Sequence, residues 1–290
     1  MLLRYLKSYI CNSVAELRTI IILCCISSNA QYWFNKPIIE LDTARLQVMY
    51  KLTYIEDTNH LNYKCQEKMI LFTGDVASSF QPYNGYKFEK VGRQKSAEGT
   101  MIEWLSSGIS AAEFSSNFFF IIYKRHDDGT ITTTDRVPLS ASFKYEEKAD
   151  AFNWEITEET AVIDGYMVQK ASCDFGGRRW EAWFTPEIPY SEGPYKFCGL
   201  PGLILNIADT DGHYVFELLS IEAPEPGTMV EFLDRDDYVV STKKEFFKVF
   251  DDNQKNIINA VKDNGGDAQM SQRIAQSAKS KNNPIEIDRE

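Results

Sequence analysis

The chain has 290 residues, 43% of them hydrophobic and 13% aromatic, which is enough apolar material and length for a large buried core. With 31 basic and 42 acidic residues it carries a net charge of -11, and such a surface repels nucleic acid and anionic lipid, so neither is expected as a partner.

Arg4, Lys7 and Arg18 precede an apolar run over residues 19–26, and Ser28-Asn29-Ala30 supplies small residues where a signal peptidase reads. Residues 1–30 therefore read as a secretory signal peptide cut before Gln31, with a core too short to span a bilayer. Cleavage removes three basic and one acidic residue, leaving 28 and 41 and a net charge of -13. It also reduces six cysteines to Cys65, Cys173 and Cys198. An oxidising compartment favours one pair and one leftover thiol. Cys173 and Cys198 are the candidate pair, closing a loop of ~25 residues that the chain-entropy model values at ~3–4 kcal/mol.

Residues 44–54 alternate with period two, as a half-buried strand does, and residues 69–72 make a second short strand. Gly74-Asp75 and Ser78-Ser79-Phe80 punctuate the chain after it. Residues 84–116 are richer in Gly, Ser and Lys, and 99–109 fit either a short helix or an insertion. Residues 117–123 are bulky and β-prone, and Asp128-Gly129 turns them into a strand over 130–134. Phe152, Trp154 and Ile156 line the next strand. Asp164-Gly165 and Gly176-Gly177 then divide an antiparallel meander over 166–175 and 178–184. Two more strands, 203–208 and 213–222, flank Asp211-Gly212. Thr242-Lys-Lys-Glu245 has capping-box spacing ahead of Phe246, Phe250, Ile257, Ile258 and Val261 on one helical face. Residues 264–290 are polar and read as a flexible tail. The expectation is one mostly β domain over 31–263: a single curved antiparallel sheet or half-barrel, with one C-terminal amphipathic helix.

The most unusual string is Gly193-Pro-Tyr-Lys-Phe-Cys-Gly-Leu-Pro-Gly-Leu-Ile204, preceded by Trp183-Phe-Thr-Pro-Glu-Ile-Pro189. Glycines and prolines among large apolar residues fit neither an ordinary strand nor a helix, so they specify a particular backbone path. The string closely resembles the signature of the GLPGLI family, secreted proteins of Bacteroidetes-type bacteria whose general function is not established. Gly165-Tyr166, Gln169-Lys170-Ala171, Gly177-Arg178 and Trp183 resemble that family's approach strands. Thr185, Pro186, Pro189, Gly193, Pro194, Phe197 and residues 199–204 resemble its signature. The family often has a further cysteine in a Gly-Tyr-x-Cys segment, where this chain has Gly165-Tyr-Met-Val168, which leaves the pairing of Cys173 open.

Two readings of the loop stand side by side. Leu200, Leu203 and Ile204 plug one end of the sheet, or the loop forms a lip over an apolar groove. On the second reading the ligand or partner residues are Trp183, Pro186, Pro189, Gly193, Pro194, Phe197, Gly199, Leu200, Pro201, Gly202 and Leu203. Trp180 and Trp183, three apart on one strand, face opposite sides of the sheet.

Nothing in the sequence assembles a catalytic constellation. His60, His126 and His213 lie far apart without metal spacing, and each reads as an ordinary loop or strand residue. The acidic runs at Glu155, Glu158, Glu159 and Asp164, and at Asp234, Asp236 and Asp237, lack the order of a calcium loop. A Cys198–His213 nucleophile would need a reduced thiol outside the cell. No metal and no cofactor is expected. The sheet with its Trp-Phe-Thr-Pro exit is similar to the half-barrels of periplasmic lipoprotein carriers of the LolA type. That resemblance implies a non-enzymatic periplasmic or envelope protein with an apolar groove for lipid or peptide. The alternative is an accessory domain that recruits an exported partner, such as an outer-membrane transporter or secreted hydrolase. A carrier needs an apolar cavity larger than packing requires; a recruiting domain needs an exposed apolar patch rimmed by acid.

Overall fold

The computed structural model describes residues 34, 36–106, 114–137, 140–234, 237–263 and 280–289. The expected signal peptide lies outside them. Strands β1 (Ile38–Thr43), β2 (Leu46–Tyr54), β3 (Cys65–Thr73) and β4 (Ala77–Pro82) lead into helices α1 (Tyr83–Ala97) and α2 (Met101–Ser106). Strands β5 (Ile121–Arg125), β6 (Thr130–Arg136), β7 (Ser142–Lys148), β8 (Glu155–Ile163), β9 (Tyr166–Phe175) and β10 (Arg178–Thr185) follow. After the signature loop come β11 (Leu203–Asp209), β12 (Tyr214–Glu222), β13 (Met229–Leu233), β14 (Val239–Val240) and helix α3 (Lys243–Asp263).

Twelve strands form one open sheet in the order β14-β7-β6-β5-β4-β3-β2-β12-β11-β10-β9-β8. Every pairing is antiparallel except β14 with β7. The expected mostly β fold with an antiparallel sheet is therefore observed, and the sheet does not close into a barrel.

One face carries the main core. Val48, Tyr50 and Leu52 of β2, Met69 and Leu71 of β3, and Trp180, Ala182 and Phe184 of β10 alternate toward it, as period-two strands require. The other face of β3, through Ile70 and Phe72, packs with Val230 of the β1–β13 ribbon and with Tyr86 of α1. Helix α3 docks on β7, where Phe246 meets Tyr145 and Phe143. The capping box is formed reciprocally: the Thr242 amide donates to Glu245 Oε2 at 2.8 Å, and the Glu245 amide to Thr242 Oγ1 at 3.2 Å. The side chains of Ile257, Ile258 and Val261 lie outside the described residues.

Residues 83–97, to which the sequence assigned no element, form a helix whose Gly92 sits directly against the Phe34 ring, where a Cβ would come within 2.2 Å. Two expectations need correction. Residues 280–289, read as part of a flexible tail, pack as a strap on the sheet with Asn283 and Glu286 buried. Buried cations complement them, as described below. Residues 264–279 lie outside the described residues. Cys173 and Cys198 are free, buried thiols, as is Cys65, so the expected disulfide is not formed. Cys173 points from β9 into the core, whereas Cys198 is held in the signature loop by a bridge to Glu192.

Candidate functional site

The signature loop leaves β10 at Thr185 and re-enters the sheet at Leu203. Between those points residues 192–198 are buried in succession, as are Leu200, Gly202, Leu203 and Ile204. Phe197 sits at the centre of an aromatic cluster, with ring centroids 4.7 Å from Trp180, 5.5 Å from Phe152 and 5.6 Å from Phe175. The loop backbone is tied down by side chains from several directions. Trp154 Nε1 donates to Cys198 O at 2.8 Å, Tyr50 OH to Ile204 O at 2.7 Å, and Ser191 Oγ to Leu200 O at 2.7 Å. Gly202, at φ 147°, lets the chain pass so close to β10 that a Cβ there would lie 2.0 Å from Thr185 O.

Of the residues expected to contact a ligand, Gly193, Pro194, Phe197, Leu200, Gly202 and Leu203 are thus part of the core. Pro186, Pro189, Gly199 and Pro201 are exposed. Trp180 is buried in the main core while Trp183 is half-buried with the Lys170 ammonium 5.8 Å over its ring, so the two tryptophans do face opposite ways.

A buried ionic pin that the sequence reading did not single out fixes the loop. Lys124, at the end of β5, places all three ammonium protons: on Glu192 Oε2 at 2.6 Å, Gly193 O at 3.0 Å and Phe197 O at 3.0 Å. Glu192 Oε1 accepts from Ser78 Oγ at 2.9 Å and faces His126 Nε2 at 2.9 Å. The other His126 nitrogen, Nδ1, faces Asp75 O at 3.2 Å. Two acceptors on one ring are satisfied together only by the doubly protonated imidazolium. The hydrogen bond to Glu192 accordingly raises His126 above the ordinary histidine value, against an opposing effect of burial. Burial pushes the Glu192 carboxyl up, but Lys124 and His126 outweigh it and hold it below the usual carboxylate range. The signals were present in the sequence as a lysine closing an apolar strand and a glutamate beside the signature, but no spacing links them.

The pin has the groups of a proton-transfer site, and each is engaged within the fold: Lys124 and His126 hold backbone carbonyls, and Glu192 takes Lys124, His126 and Ser78. The thiols are likewise poor nucleophiles: burial pushes Cys198 up to about 11 and Cys173 to about 12. His60 is exposed beside Asp57, and His213 meets Arg178 at 3.4 Å. Asp209, Asp211 and His213 bring one ligand atom each within 4.8 Å of the others. Asp209 Oδ2 already accepts from Arg178 at 2.7 Å and Oδ1 from the Tyr214 amide at 2.8 Å, so a fixed guanidinium takes the position a metal cation would need.

A different carboxyl is perturbed upward. Glu67 Oε1 accepts from the Asn117 amide at 3.0 Å, and Oε2 is sealed from solvent without a hydrogen-bond partner among the described residues. Burial lifts it to about 7.

The surface differs most at β8, the free end of the sheet. Val162 and Met167 form a cross-strand pair 66% and 54% exposed, and Ile156 is 48% exposed. Along β8, β9 and β10 lie five carboxylates, Glu155, Glu158, Glu159, Asp174 and Glu181, against two cations, Lys170 and Arg179, which pair with four of the five. The β8–β9 register slips between Ile156 and Thr160.

A family described as a protein of unknown function (Porph_ging) matches residues 177–206, which span β10, the signature loop and the start of β11. No curated protein matches the chain. Two solved structures of PNGF-II are similar to it at 14% identity. One aligns over 72% of this chain with a TM-score of 0.48, the other over 81% with a TM-score of 0.44. This chain spans about a third of the length of those proteins, covering 33% of each. No helix among the described residues is long and apolar enough to cross a membrane.

Proposed function

We propose that this chain is a secreted, non-enzymatic envelope protein of the GLPGLI type, which recruits an exported protein by surface contact at β8. The observation that carries this reading is where the apolar side chains are spent. Phe197, Leu200 and Leu203 of the signature are packed in the core, where a lipid or peptide groove would need them open. The exposed Val162–Met167 pair and Ile156, at an edge strand that also carries Glu155, Glu158 and Glu159, have the character of a docking patch instead. β8 ends the sheet, so its outer edge offers backbone donors and acceptors for an added strand. The occupant is an extended, Lys- or Arg-bearing segment of another protein. A second copy is the poorer fit, because pairing two β8 edges sets Glu155, Glu158 and Glu159 against their own kind.

Two measurements test this. Native mass spectrometry with lipid extraction, on protein taken from its own envelope, is expected to give the bare mature mass; a stoichiometric lipid overturns the reading in favour of carriage. A photo-crosslinking residue at Val162 is expected to capture one protein in the cell of origin. That product should disappear when Glu158 and Glu159 are both changed to Lys. Capture indifferent to the charge reversal removes the basic-strand mode.

A further inference from the structure

Residues 282–289 are bound to the rest of the protein as a peptide ligand is bound, through pockets for specific groups. Arg178 is the principal reader. Its Nε donates to Ile285 O at 3.0 Å, and its Nη2 to Pro284 O and Asn283 Oδ1, each at 2.6 Å, while the guanidinium lies over the Tyr214 ring. Tyr214 OH adds a bond to Asn283 O at 2.6 Å. The Glu286 carboxylate enters a cationic pocket: Oε1 accepts from Lys196 Nζ at 2.7 Å and Tyr195 OH at 2.6 Å, and Oε2 pairs with Lys243 Nζ at 2.6 Å. Burial pushes this carboxyl up, but Lys196 and Lys243 hold it near about 2. Gly176 O then accepts from the amides of Ile287 and Asp288 at 2.7 and 3.1 Å. The strap lies directly on the β9–β10 turn: a Cβ at Gly176 would come within 2.9 Å of Glu286 Cγ, and one at Gly177 within 2.9 Å of the Asp288 amide nitrogen.

The cations that read the strap do not depend on it alone. Arg178 keeps Asp209, and Lys196 and Lys243 both keep Glu147, which belongs to β7. Lys196 also keeps Tyr145 OH at 3.3 Å. If the strap leaves, Arg178 retains Asp209, but Lys196 and Lys243 are left to share Glu147, so the emptied groove carries one uncompensated positive charge that a carboxylate-bearing peptide would neutralise. Each cation thus keeps a contact that holds its side chain in place, while the pocket as a whole stays short of one anion.

We infer that the groove formed by Arg178, Tyr195, Lys196, Tyr214, Lys243 and the Gly176 carbonyl is a receptor for an extended acidic peptide with a glutamate two residues after proline, filled here by the chain's own C-terminal segment. The recognised features are an Asn-Pro pair read through carbonyls and a side-chain amide, and one carboxylate taken into a pocket of two ammonium groups and a phenol. This site is separate from β8 and stands whether or not a partner docks there.

The test keeps every part of the chain present. A protease site placed between residues 264 and 279 is cut in the folded protein, leaving the 280–290 peptide held without a covalent link. A fluorescein-labelled peptide of residues 280–290 is then added and followed by anisotropy. The expected result is saturable uptake at one peptide per protein, competition by unlabelled peptide, no uptake by uncut protein, and binding weakened about a hundredfold or more in the Glu286→Gln peptide, because a buried charged partner is lost. Three results overturn the inference: loss of the fold on cutting, retention of the original peptide with no exchange, or equal binding of the Gln peptide.

Discussion

Replacing Glu67 with Gln should make the protein more resistant to unfolding at pH 8 than the wild type, and leave it nearly unchanged at pH 5. Glu67 rises from 4.5 to about 7 because burial disfavours its charged form, against hydrogen bonds from Ser116 and the Asn117 amide that favour it. A carboxyl raised in the folded state binds more protons there than in the unfolded chain. Its contribution is therefore fully present below the unfolded value and is lost as pH rises through the folded one. A shift of this size, at ~1.4 kcal/mol per pH unit, removes ~2–3 kcal/mol between pH 5 and pH 8. Gln carries no proton to lose, so the variant is spared that decline. Chemical unfolding of both proteins at pH 5, 6, 7 and 8 measures it, since other titrating groups cancel in the difference. Gln retains an acceptor for the Asn117 amide, and any cost of burying its amide group is independent of pH. A difference between the two proteins that stays constant across these pH values refutes the assignment, whatever its absolute size.

The pin on the signature loop titrates in the opposite sense at its two ends. His126, raised by Glu192, contributes stability below the unfolded histidine value near ~6.5 that is lost as pH climbs through the folded one. Glu192, lowered by Lys124 and His126, contributes above the unfolded carboxylate value, and that share is lost as pH falls through its depressed one. His126→Gln should flatten the stability profile on its alkaline side, read as thermal midpoint against pH; an unchanged alkaline slope argues against the imidazolium. Gly202→Ala should destabilise by ~3 kcal/mol or more, since the new Cβ meets backbone at 2.0 Å. Gly199→Ala, whose nearest neighbour is Trp154 Nε1 at 3.7 Å, should cost only the ~1–2 kcal/mol of a left-handed non-glycine residue. Equal losses in urea unfolding would show that the close approach at Gly202 is not what requires glycine.

The strands were legible wherever one face is buried and turn residues mark the ends, as across Gly176-Gly177 between β9 and β10. β4 escaped because Ser78 and Ser79 read as punctuation, although both are buried, Ser78 with its hydroxyl on Glu192. Helix α1 escaped because Gly85, Gly92 and Ser96 lower helix propensity, while Gly92 is used for contact with Phe34. The signature loop announced itself as a specified backbone, yet its composition served a plug and a lip equally well. The burial of residues 192–198 favours the plug, while Pro186, Pro189, Gly199 and Pro201 remain exposed. Lys124 with Glu192, and Lys196 and Arg178 with a strap about 90 residues or more further on, are pairings between distant segments, and local composition has no term for them. A polar C-terminus reads as solvated until the cations that receive it are found.

The two proposed sites select opposite chemistry, and that difference has a consequence for specificity. The groove at Arg178 and Lys196 accepts a carboxylate, whereas the β8 edge presents more acid than base. The chain's own strap, with Glu286 and Asp288 flanked by Lys281 and Arg289, gains nothing at β8 but fits the groove, where Arg178 takes its carbonyls and Lys196 and Lys243 take the Glu286 carboxylate. A basic strand suited to β8 meets three cations at the groove. On the two proposals, each site would reject the other's ligand by charge and bind its own through charge and hydrogen bonding together. On the proposed reading, the glutamates that would hold two copies apart at the free edge would also set the sign of the partner that adds there. One device therefore serves both solubility and selection.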